Sequence, residues 1–445
     1  MVSNAQPVEV AGTLPEDYLP QLKDLIDTAW KQSPTMMLQN INLAVADAGR
    51  IRGEVAFWPS LSGSASYASN SARVDSGTSS TSTSSGAYYG INLSQQIFAW
   101  GANKATADVA KLQEQIIKRQ WVDAFRTLAG SLRSQYLALI NQKIALRNSI
   151  FQLQLVKADL ATQEEMLKDG TISAGAINGA RLSVQEQSLW VDKATQSFAH
   201  ARRMFAHLAG LEDLTEESIP SEIPHPDPSL DKAERLLNTF IHGGIENTLQ
   251  GQVYAMELKQ TDLNYWITRT DLYPKFSFGA GYSLSNSQSA GNGTVSQSAV
   301  VSYSYGINGS WTIFNGFSTR ANKIGILATK RSQERQFKSY IDDTTETVID
   351  NQKQLGFAAQ AMDIAEQHLA LAKDGYNRAN TELQEGTVAK VAVDSIRGGF
   401  YATEYAASAA RADYLSRWAD FVSLVGADPI LNKVPAAYLN SHHGH

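Results

Sequence analysis

Cysteine is absent from this chain of 445 residues, and so are long apolar runs and clusters of basic residues. The absence of cysteine excludes a lipid-modified N-terminal cysteine in this form of the chain and favours an oxidising compartment such as the periplasm. No stretch of about 18 apolar residues occurs, so we expect no membrane-spanning helix, although membrane β-strands give a much weaker signal. A net charge of −6 without any Lys/Arg run argues against a nucleic-acid partner.

Signals for export and for catalysis are also missing. The first 12 residues lack the basic, apolar and small-residue zones of a signal peptide, and we expect that such a signal has been removed. No phosphate loop, nucleophile elbow or paired-carboxylate motif occurs, so we expect neither an enzyme nor a cofactor. The three histidines of Ser441–His445 could bind a metal, but their place at the end of the chain favours a disordered tail.

The sequence repeats itself with an offset of 216 residues. The repeated landmarks are Gly90-Ile91-Asn92 with Gly306-Ile307-Asn308, Gly170-Thr171 with Gly386-Thr387, and Phe205 and Gly210 with Phe421 and Gly426. A fixed offset over nearly the whole length indicates two copies of one structural unit.

Proline placement separates these two copies. No proline lies between Pro59 and Pro220 or between Pro274 and Pro429, so these runs must contain the long regular elements that proline would break. Pro220, Pro224, Pro226 and Pro228 predict an extended linker. The predicted parts are an N-terminal extension (1–18), a first repeat (19–210), a Pro-rich linker (211–230), a second repeat (231–428) and a C-terminal tail (429–445).

Each repeat is predicted to contain two strands with unlike faces. The strands cover 58–67 and 87–98 in the first repeat and 274–284 and 299–314 in the second, and apolar and polar residues alternate along them. The Ser/Thr-rich segments between them, 68–86 and 285–298, are predicted as exposed loops because they can bury too little to fold alone.

The two faces suit a membrane. Strands of roughly 10 residues can cross a bilayer when tilted. The small polar face suits a water-filled lumen, and the apolar, aromatic face suits lipid. A soluble β-sandwich with one buried face is the alternative interpretation.

Helices fill the rest of each repeat. Opening amphipathic helices are predicted at about 19–54 and 231–270, long helices at 103–169 and 319–385, and return helices at 176–208 and 391–425. At ~1.5 Å per residue each long helix would reach about 100 Å, too far for a compact domain. Apolar residues three or four apart predict a coiled-coil-like seam, and a glycine just past each long helix predicts a left-handed cap.

Four strands per chain cannot close a barrel, and open strand edges are not tolerated in lipid. We therefore expect three copies to supply twelve strands, an even number that outer-membrane barrels use. The predicted fold is mixed α and membrane β: a trimeric 12-stranded outer-membrane β-barrel continued by a long periplasmic α-helical coiled-coil tunnel. Such an assembly would be a conduit.

In this order of elements the chain resembles the TolC-type outer-membrane channel family of Gram-negative bacteria. The resemblance covers about Leu19 to Leu431 and rests on three duplicated signatures: an aromatic-Pro strand entry, Ile-Phe shortly before a glycine, and an acidic-Gly-Thr helix tip. These signatures are Trp58-Pro59 and Tyr273-Pro274, Ile97–Gly101 and Ile313–Gly316, and Asp169–Thr171 and Glu385–Thr387.

The resemblance implies a passive duct with several partners. It implies a homotrimer in the outer membrane, in contact with outer-membrane lipid and with a large periplasmic part. A periplasmic adaptor (membrane-fusion) protein and an inner-membrane RND or ABC transporter would deliver either small molecules, including drugs, or polypeptides by type I secretion. The residues implied in docking the adaptor are those of the two tips: Asp169, Gly170, Thr171, Glu385, Gly386 and Thr387.

The resemblance also implies a periplasmic gate. Family members often place acidic residues about six and nine positions after the second tip glycine, but this chain has Ala392 and Ser395 there. The nearest acid is Asp394, whose first-repeat equivalent is Asn178, and we hypothesise that Asp394 forms the gate. Three copies of its carboxylate near one axis would repel one another and attract cations. A solvated helix charge is the alternative.

Two further groups follow from the strand pattern. Asn92, Ser94, Asn308 and Ser310 are expected to wet the barrel lumen. Trp58, Trp100, Tyr273 and Phe314 fall at strand ends, where aromatic residues lie at membrane interfaces.

Other classes of protein remain open from the sequence. A coiled-coil surface adhesin or a structural scaffold with a β-domain would explain the helices but not the duplicated two-faced strands. An intracellular helical scaffold with a β-sandwich would be monomeric and would need no detergent.

Overall fold

The structure, a computed structural model, describes residues 13–76, 78–173, 175–291, 294–435 and 438. Most of the predicted N-terminal extension and the histidines of the C-terminal tail therefore lie outside the described residues. The elements are α1 (Pro15–Tyr18), α2 (Pro20–Gln32), α3 (Pro34–Glu54), β1 (Ser60–Ser76), β2 (Thr78–Phe98), α4 (Ala102–Lys168), α5 (Ala176–Ala209), α6 (Leu230–Gly243), α7 (Leu249–Arg269), β3 (Lys275–Gly291), β4 (Thr294–Ser310), α8 (Ser318–Gln384) and α9 (Lys390–Leu424).

The long helices α4 and α8 each contain 67 residues and begin one residue before their predicted positions. The opening helices differ from the prediction, because each is two helices rather than one. Pro34 begins α3 directly after Ser33, since proline cannot donate the backbone hydrogen bond that would continue α2. In the second repeat α6 ends at Gly243, and Gly244 has a positive φ of 86° before α7.

The prediction of loops at 68–86 and 285–298 is wrong. Strands β1 and β2 stay paired from Ser60↔Ser94 to Ser76↔Thr78, and β3 and β4 from Lys275↔Ser310 to Gly291↔Thr294. Ser and Thr bury little, but each strand satisfies the backbone hydrogen bonds of its neighbour, so no apolar core is needed to keep the segment extended. Strands β1, β2 and β3 therefore have 17, 21 and 17 residues and extend well beyond their predicted bounds, whereas β4 has 17 residues and ends before the predicted 314.

Left-handed backbone recurs at the offset found in the sequence. Residues with positive φ form four pairs separated by 216 positions: Trp100 and Gly316, Gly101 and Phe317, Gly170 and Gly386, and Gly210 and Gly426. In each of the first two pairs, one repeat has glycine where the other has an aromatic residue. The chain therefore bends in the same way at corresponding points of both repeats.

Contacts divide the described residues into two compact units that do not coincide with the two repeats. One unit contains the residues up to Asn42, Lys118–Gln252 and those from Ser339 onward; the other contains Leu43–Ile117 and Val253–Lys338. We call them the helical unit and the sheet unit. Each unit draws on both repeats.

The sheet unit holds one antiparallel sheet in the order β1-β2-β3-β4. The pairing of β2 with β3 joins the two repeats, and its only irregularity among the described residues is a shift between Gln96 and Phe98. Two adjacent rows across all four strands each keep one character. Leu61, Leu93, Ala280 and Tyr305 form an apolar row, and Ser62, Asn92, Gly281 and Ser304 form the polar row beside it.

Helical segments of the sheet unit pack in the same order as the strands. Glu54 of α3 pairs with Lys111 of α4. The Gln260 side chain of α7 donates to the Val109 carbonyl of α4 at 3.1 Å. Lys330 of α8 pairs with Asp262 of α7 at 2.7 Å. Each helix therefore has fixed neighbours and a fixed register.

The helical unit has a conventional apolar core. Trp418, Tyr414 and Phe421 of α9 pack with Leu355 and other apolar residues of α8, and these four side chains are 2% exposed or less. The linker, predicted as extended, buries two of its apolar side chains, Ile219 and Ile223. It is thus a packed strap rather than a free spacer.

Two arginines of the helical unit hold the linker, α1 and the segment around Asp428 in place. Arg411 donates to the Ile223 carbonyl at 2.7 Å and to both carboxylate oxygens of Glu366, and its hydrogen bond lowers the pKa of Glu366. Arg133, 1% exposed on its side chain, bridges Glu16 of α1 and Asp428 beyond α9. Burial alone would lower the pKa of Arg133, but the hydrogen bonds and charges of Asp428 and Glu16 raise it.

Among the described residues, no helix combines the length and the apolar character that crossing a membrane requires.

We expect Arg133→Ala to destabilise the helical unit strongly. Removing the guanidinium leaves the carboxylate of Asp428 buried without its partner, which typically costs about 3–5 kcal/mol. Thermal unfolding followed by circular dichroism in detergent measures the effect. Arg417→Ala is the matched control, because its pair with Asp413 is exposed and such pairs contribute at most about 1 kcal/mol. Equal losses for the two variants would contradict the role of Arg133.

Candidate functional site

Three separate regions are candidate functional sites: the helix tips of the helical unit, and, in the sheet unit, the polar face of the sheet and the junction between strands and helices. The two tips have one geometry. The Thr171 amide donates to the Met166 carbonyl at 2.9 Å and the Gly170 amide to Leu167 at 3.1 Å, and Thr387 and Gly386 repeat both bonds with Glu382 and Leu383. Gly170 and Gly386 have φ of 71° and 75°. These two hydrogen bonds define a Schellman cap, whose left-handed residue only glycine can be without strain.

The tip threonines reinforce the cap. The Thr171 hydroxyl donates to the Met166 carbonyl at 2.7 Å, and that of Thr387 to Glu382 at 2.9 Å. Asp169, Thr171, Glu385 and Thr387 are all exposed. Each tip therefore presents an acidic residue on a rigid reversal.

Asp394 and Asn178 occupy comparable places in their helices. Asp394 is half-buried near the start of α9, and Asn178 is exposed near the start of α5. The Arg397 side chain donates to the Tyr401 hydroxyl, which is the main cause that raises the pKa of Arg397, and the charge of Asp394 adds to it. The charges of Asp394 and Arg397, three residues apart on α9, therefore interact.

A cluster of arginine and aromatic side chains joins α4 to α9, and the sequence analysis did not identify it. The Arg147 guanidinium lies 4.7 Å from the centroid of the Tyr401 ring and pairs with Glu404 at 2.6 Å. Arg397 lies 5.2 Å from the Phe151 ring. The spacing of Arg147 to Phe151 and of Arg397 to Tyr401, four residues each, is a signal that could have identified it.

The four polar residues predicted for a lumen lie on one face of the sheet. Asn92 pairs with Gly281, Ser94 with Gly279, Asn308 with Ser277 and Ser310 with Lys275. Directly opposed residues share a face, so the face carries small polar side chains, glycine and, at its end, Lys275. All four predicted residues are exposed in the single chain.

The four aromatic residues predicted for an interface lie at the junction between sheet and helices. Trp100 has φ 55° and donates from its indole nitrogen to the Pro274 carbonyl at 2.8 Å; its ring contacts Tyr273. Trp58 and Phe314 are 72% and 68% exposed. Trp266, which sequence analysis missed because it lies inside a helix, donates to the Trp100 carbonyl at 3.2 Å.

Among the described residues, no group of three or more His, Asp and Glu side chains could hold a metal ion. The described arrangement offers hydrogen-bonding surfaces rather than a coordination site.

Comparisons with known proteins point to outer-membrane channels. Residues 245–427 match the sequence profile of the family described as outer membrane efflux protein. No curated protein sequence matches the chain significantly. Among solved structures, the CmeC outer membrane channel of Campylobacter jejuni is similar with a TM-score of 0.70 and 15% identity, covering 96% of this chain and 91% of CmeC.

Two further structures agree with this likeness. VceC of Vibrio cholerae has a TM-score of 0.65 and 16% identity, covering 92% of this chain and 97% of VceC. The open state of the MtrE outer membrane channel of Neisseria gonorrhoeae has a TM-score of 0.61 and 17% identity, covering 92% and 89%. The fold extends over both repeats, while the sequence match lies in the second. Residues 245–427 therefore resemble the outer membrane efflux protein family in sequence, and the chain has the fold of these outer-membrane channels.

Proposed function

We propose that three copies of this chain form a passive outer-membrane exit duct of a tripartite export system. The observation that carries the proposal is the four-stranded sheet with two open edges. Within the described chain, β1 and β4 each have 17 residues and pair on one side only. Long unpaired edge strands promote aggregation in water and are not tolerated in lipid. Pairing β4 of one copy with β1 of the next would satisfy the backbone hydrogen bonds of both edges.

The alternation of apolar and polar rows across the sheet supports a closed barrel. Apolar rows such as Leu61, Leu93, Ala280 and Tyr305 would continue around the outside, and polar rows such as Ser62 to Ser304 around the lumen. Strands of 17 residues span about 55 Å, well beyond the roughly 30 Å of hydrocarbon. The Ser/Thr-rich outer half would therefore stand in water as a rigid polar collar.

The helical unit has matching open faces. Contacts place its helices in the order α5-α4-α9-α8, through the Gln187 bond to Ser149, the Asn148 bond to Tyr401 and the Arg411 pair with Glu366. The outer helices expose apolar residues seven positions apart: Leu182 and Leu189 on α5, and Phe357, Ile364 and Leu371 on α8. Such a seam packs against a helix of another copy.

The substrates proposed are small molecules, and the support is that residues 245–427 match a family described as outer membrane efflux protein. The duct consumes no energy: an inner-membrane RND or ABC transporter would drive export, and a periplasmic adaptor would join it to the tips. The lumen rows, uncharged except for Lys275 at their end, suit cargo of varied chemistry, because they offer hydrogen bonds without strong binding.

The open edges can be tested with disulfides, because the chain has no cysteine of its own. Within one chain β1 and β4 are three strand spacings apart, about 14 Å, which is too far for a disulfide. We expect Ser62→Cys combined with a scan of single cysteines along β4 to yield cross-linked trimers at one register. Ser62→Cys with Asn92→Cys, which are paired neighbours, is the control that links only within a chain.

The same preparations should conduct. In planar bilayers we expect discrete, stable and mostly small conductance steps from a complex with three times the mass of one chain. A monomer that needs no detergent and gives no conductance would contradict the duct and favour a scaffold.

Adaptor docking is tested by reversing charge at the tips. We expect Asp169→Lys with Glu385→Lys to keep the trimer and its conductance, because both side chains are exposed and the caps are made by backbone and threonine. Export should fall, so a deletion strain carrying the variant should become as drug-sensitive as the deletion itself. The control is Asp350→Lys, an exposed change elsewhere on α8, which should support export as the wild-type chain does when it is expressed in the deletion strain. Full export by the tip variant would rule the tips out.

The gate hypothesis predicts a change in ion passage. We expect Asp394→Ala to weaken block by divalent cations and to alter single-channel conductance, because three carboxylates near the axis would be lost. Asn178→Ala, at the equivalent position of the first repeat, is the neutral control. Unchanged conductance and unchanged block in Asp394→Ala would show that this residue is an ordinary helix charge.

A further inference from the structure

Four side chains form a cluster where the helices of the sheet unit meet the sheet. The Trp266 indole donates to the Trp100 carbonyl at 3.2 Å, and the Trp100 ring packs 5.4 Å from Tyr273. The Arg269 guanidinium lies 5.4 Å from the Trp266 ring, and its Nε donates to the Tyr273 hydroxyl at 3.3 Å. We call Trp100, Trp266, Arg269 and Tyr273 the junction cluster.

The junction cluster continues the apolar face of the sheet, not the polar one. Phe98 pairs with Phe276, and Phe276 lies on the same face of the sheet as Phe278 and Tyr282. The Trp100 ring packs against Phe98 at 5.1 Å between centroids. Aromatic contact therefore runs from the apolar face, through Trp100, to Tyr273 and Arg269.

Positive charge is concentrated at the level of this cluster. Counting from the Asp262–Lys330 pair along the antiparallel helices α7 and α8, Lys323 lies opposite Arg269. Lys104 follows Trp100 by four residues, and Arg320 lies one turn from Lys323. Lys104, Arg269 and Arg320 are exposed and Lys323 is half-buried.

These four cations form no ion pair with any carboxylate of the described chain, whereas Lys275, Lys111 and Lys330 each do. Asp271 is the one acid between Arg269 and the start of β3, and it is paired with Lys275 at 3.3 Å. Uncompensated charge therefore remains beside an aromatic cluster that borders an apolar face.

We propose that the junction cluster binds the phosphodiester of an anionic glycerophospholipid from the leaflet that meets the helices. The inference rests on the proposed membrane position of the sheet. Arg269 keeps two terminal amino groups for the phosphate while Tyr273 and Trp266 fix its plane, and guanidinium matches two phosphate oxygens at once. Lys104 and Lys323 add charge, and the acyl chains lie along Phe98 and Phe276. A free phosphate would gain nothing from those rings.

The test is retention of lipid through purification. Wild-type trimers and Arg269→Gln trimers are exchanged into the same detergent, offered equal phosphatidylglycerol and analysed by native mass spectrometry. We expect about tenfold weaker retention in Arg269→Gln, the size of one lost charge-assisted bond. Arg269→Lys should retain an intermediate amount, and Arg335→Gln, an exposed change farther along α8, should retain lipid as wild type does.

The outcomes separate the lipid site from the duct. Conductance and trimer mass are measured on every sample, so loss of both in wild type rejects the proposed function rather than the lipid site. Equal retention by conducting Arg269→Gln and wild-type trimers overturns the lipid site. Equal loss in Arg335→Gln would also overturn it, because retention would then follow total charge. Displacement of the lipid by millimolar inorganic phosphate would reassign the cluster to free anions.

Discussion

Backbone hydrogen bonding between β2 and β3 is the interaction on which the rest of this structure depends. Each strand comes from a different repeat, and their pairing runs from Ser82↔Gly291 to Phe98↔Phe276. Because side chains alternate along a strand, a slip of one residue would move every apolar side chain of β3 to the polar face. The register therefore fixes which side chains form the apolar rows and which form the polar rows of the sheet.

Glycine reversals carry this register into the helices. The paired left-handed residues at Trp100-Gly101 and Gly316-Phe317 turn the chain from strand into helix at equivalent points. A non-glycine residue at positive φ is costly, and it persists where surrounding contacts hold it. For Trp100 those contacts are the bond to Pro274 and the rings of Phe98 and Tyr273. The strained residue is thus also the centre of the junction cluster.

The helical unit is held differently, by buried arginines as well as by its apolar core. Arg133 and Arg411 each join segments far apart in sequence, and each is matched by two or more acceptors. A buried pair of this kind adds little net stability compared with an apolar substitute, but it fails badly when one partner is lost. Its effect is to fix where the linker, α1 and the segment around Asp428 lie, while the cluster of Arg147, Arg397 and Tyr401 fixes α9 on α4.

The sequence by itself determined the order of elements, the two-faced strands and the helix tips. Those features depend on local properties: the period of apolar residues, the places where proline is missing, and the glycine that a left-handed cap requires at 170 and 386. The loop predicted at 68–86 was wrong because composition indicates how much surface a segment can bury, but not which strand will form hydrogen bonds with its backbone. Only the tertiary structure decided that those segments are strand, that Pro34 and Gly244 divide the opening helices, and that Trp266 contacts Trp100 while Trp100 contacts Pro274 and Tyr273. Such contacts join residues up to 174 positions apart in sequence, and no local pattern records which of many possible partners packing and hydrogen bonding will select.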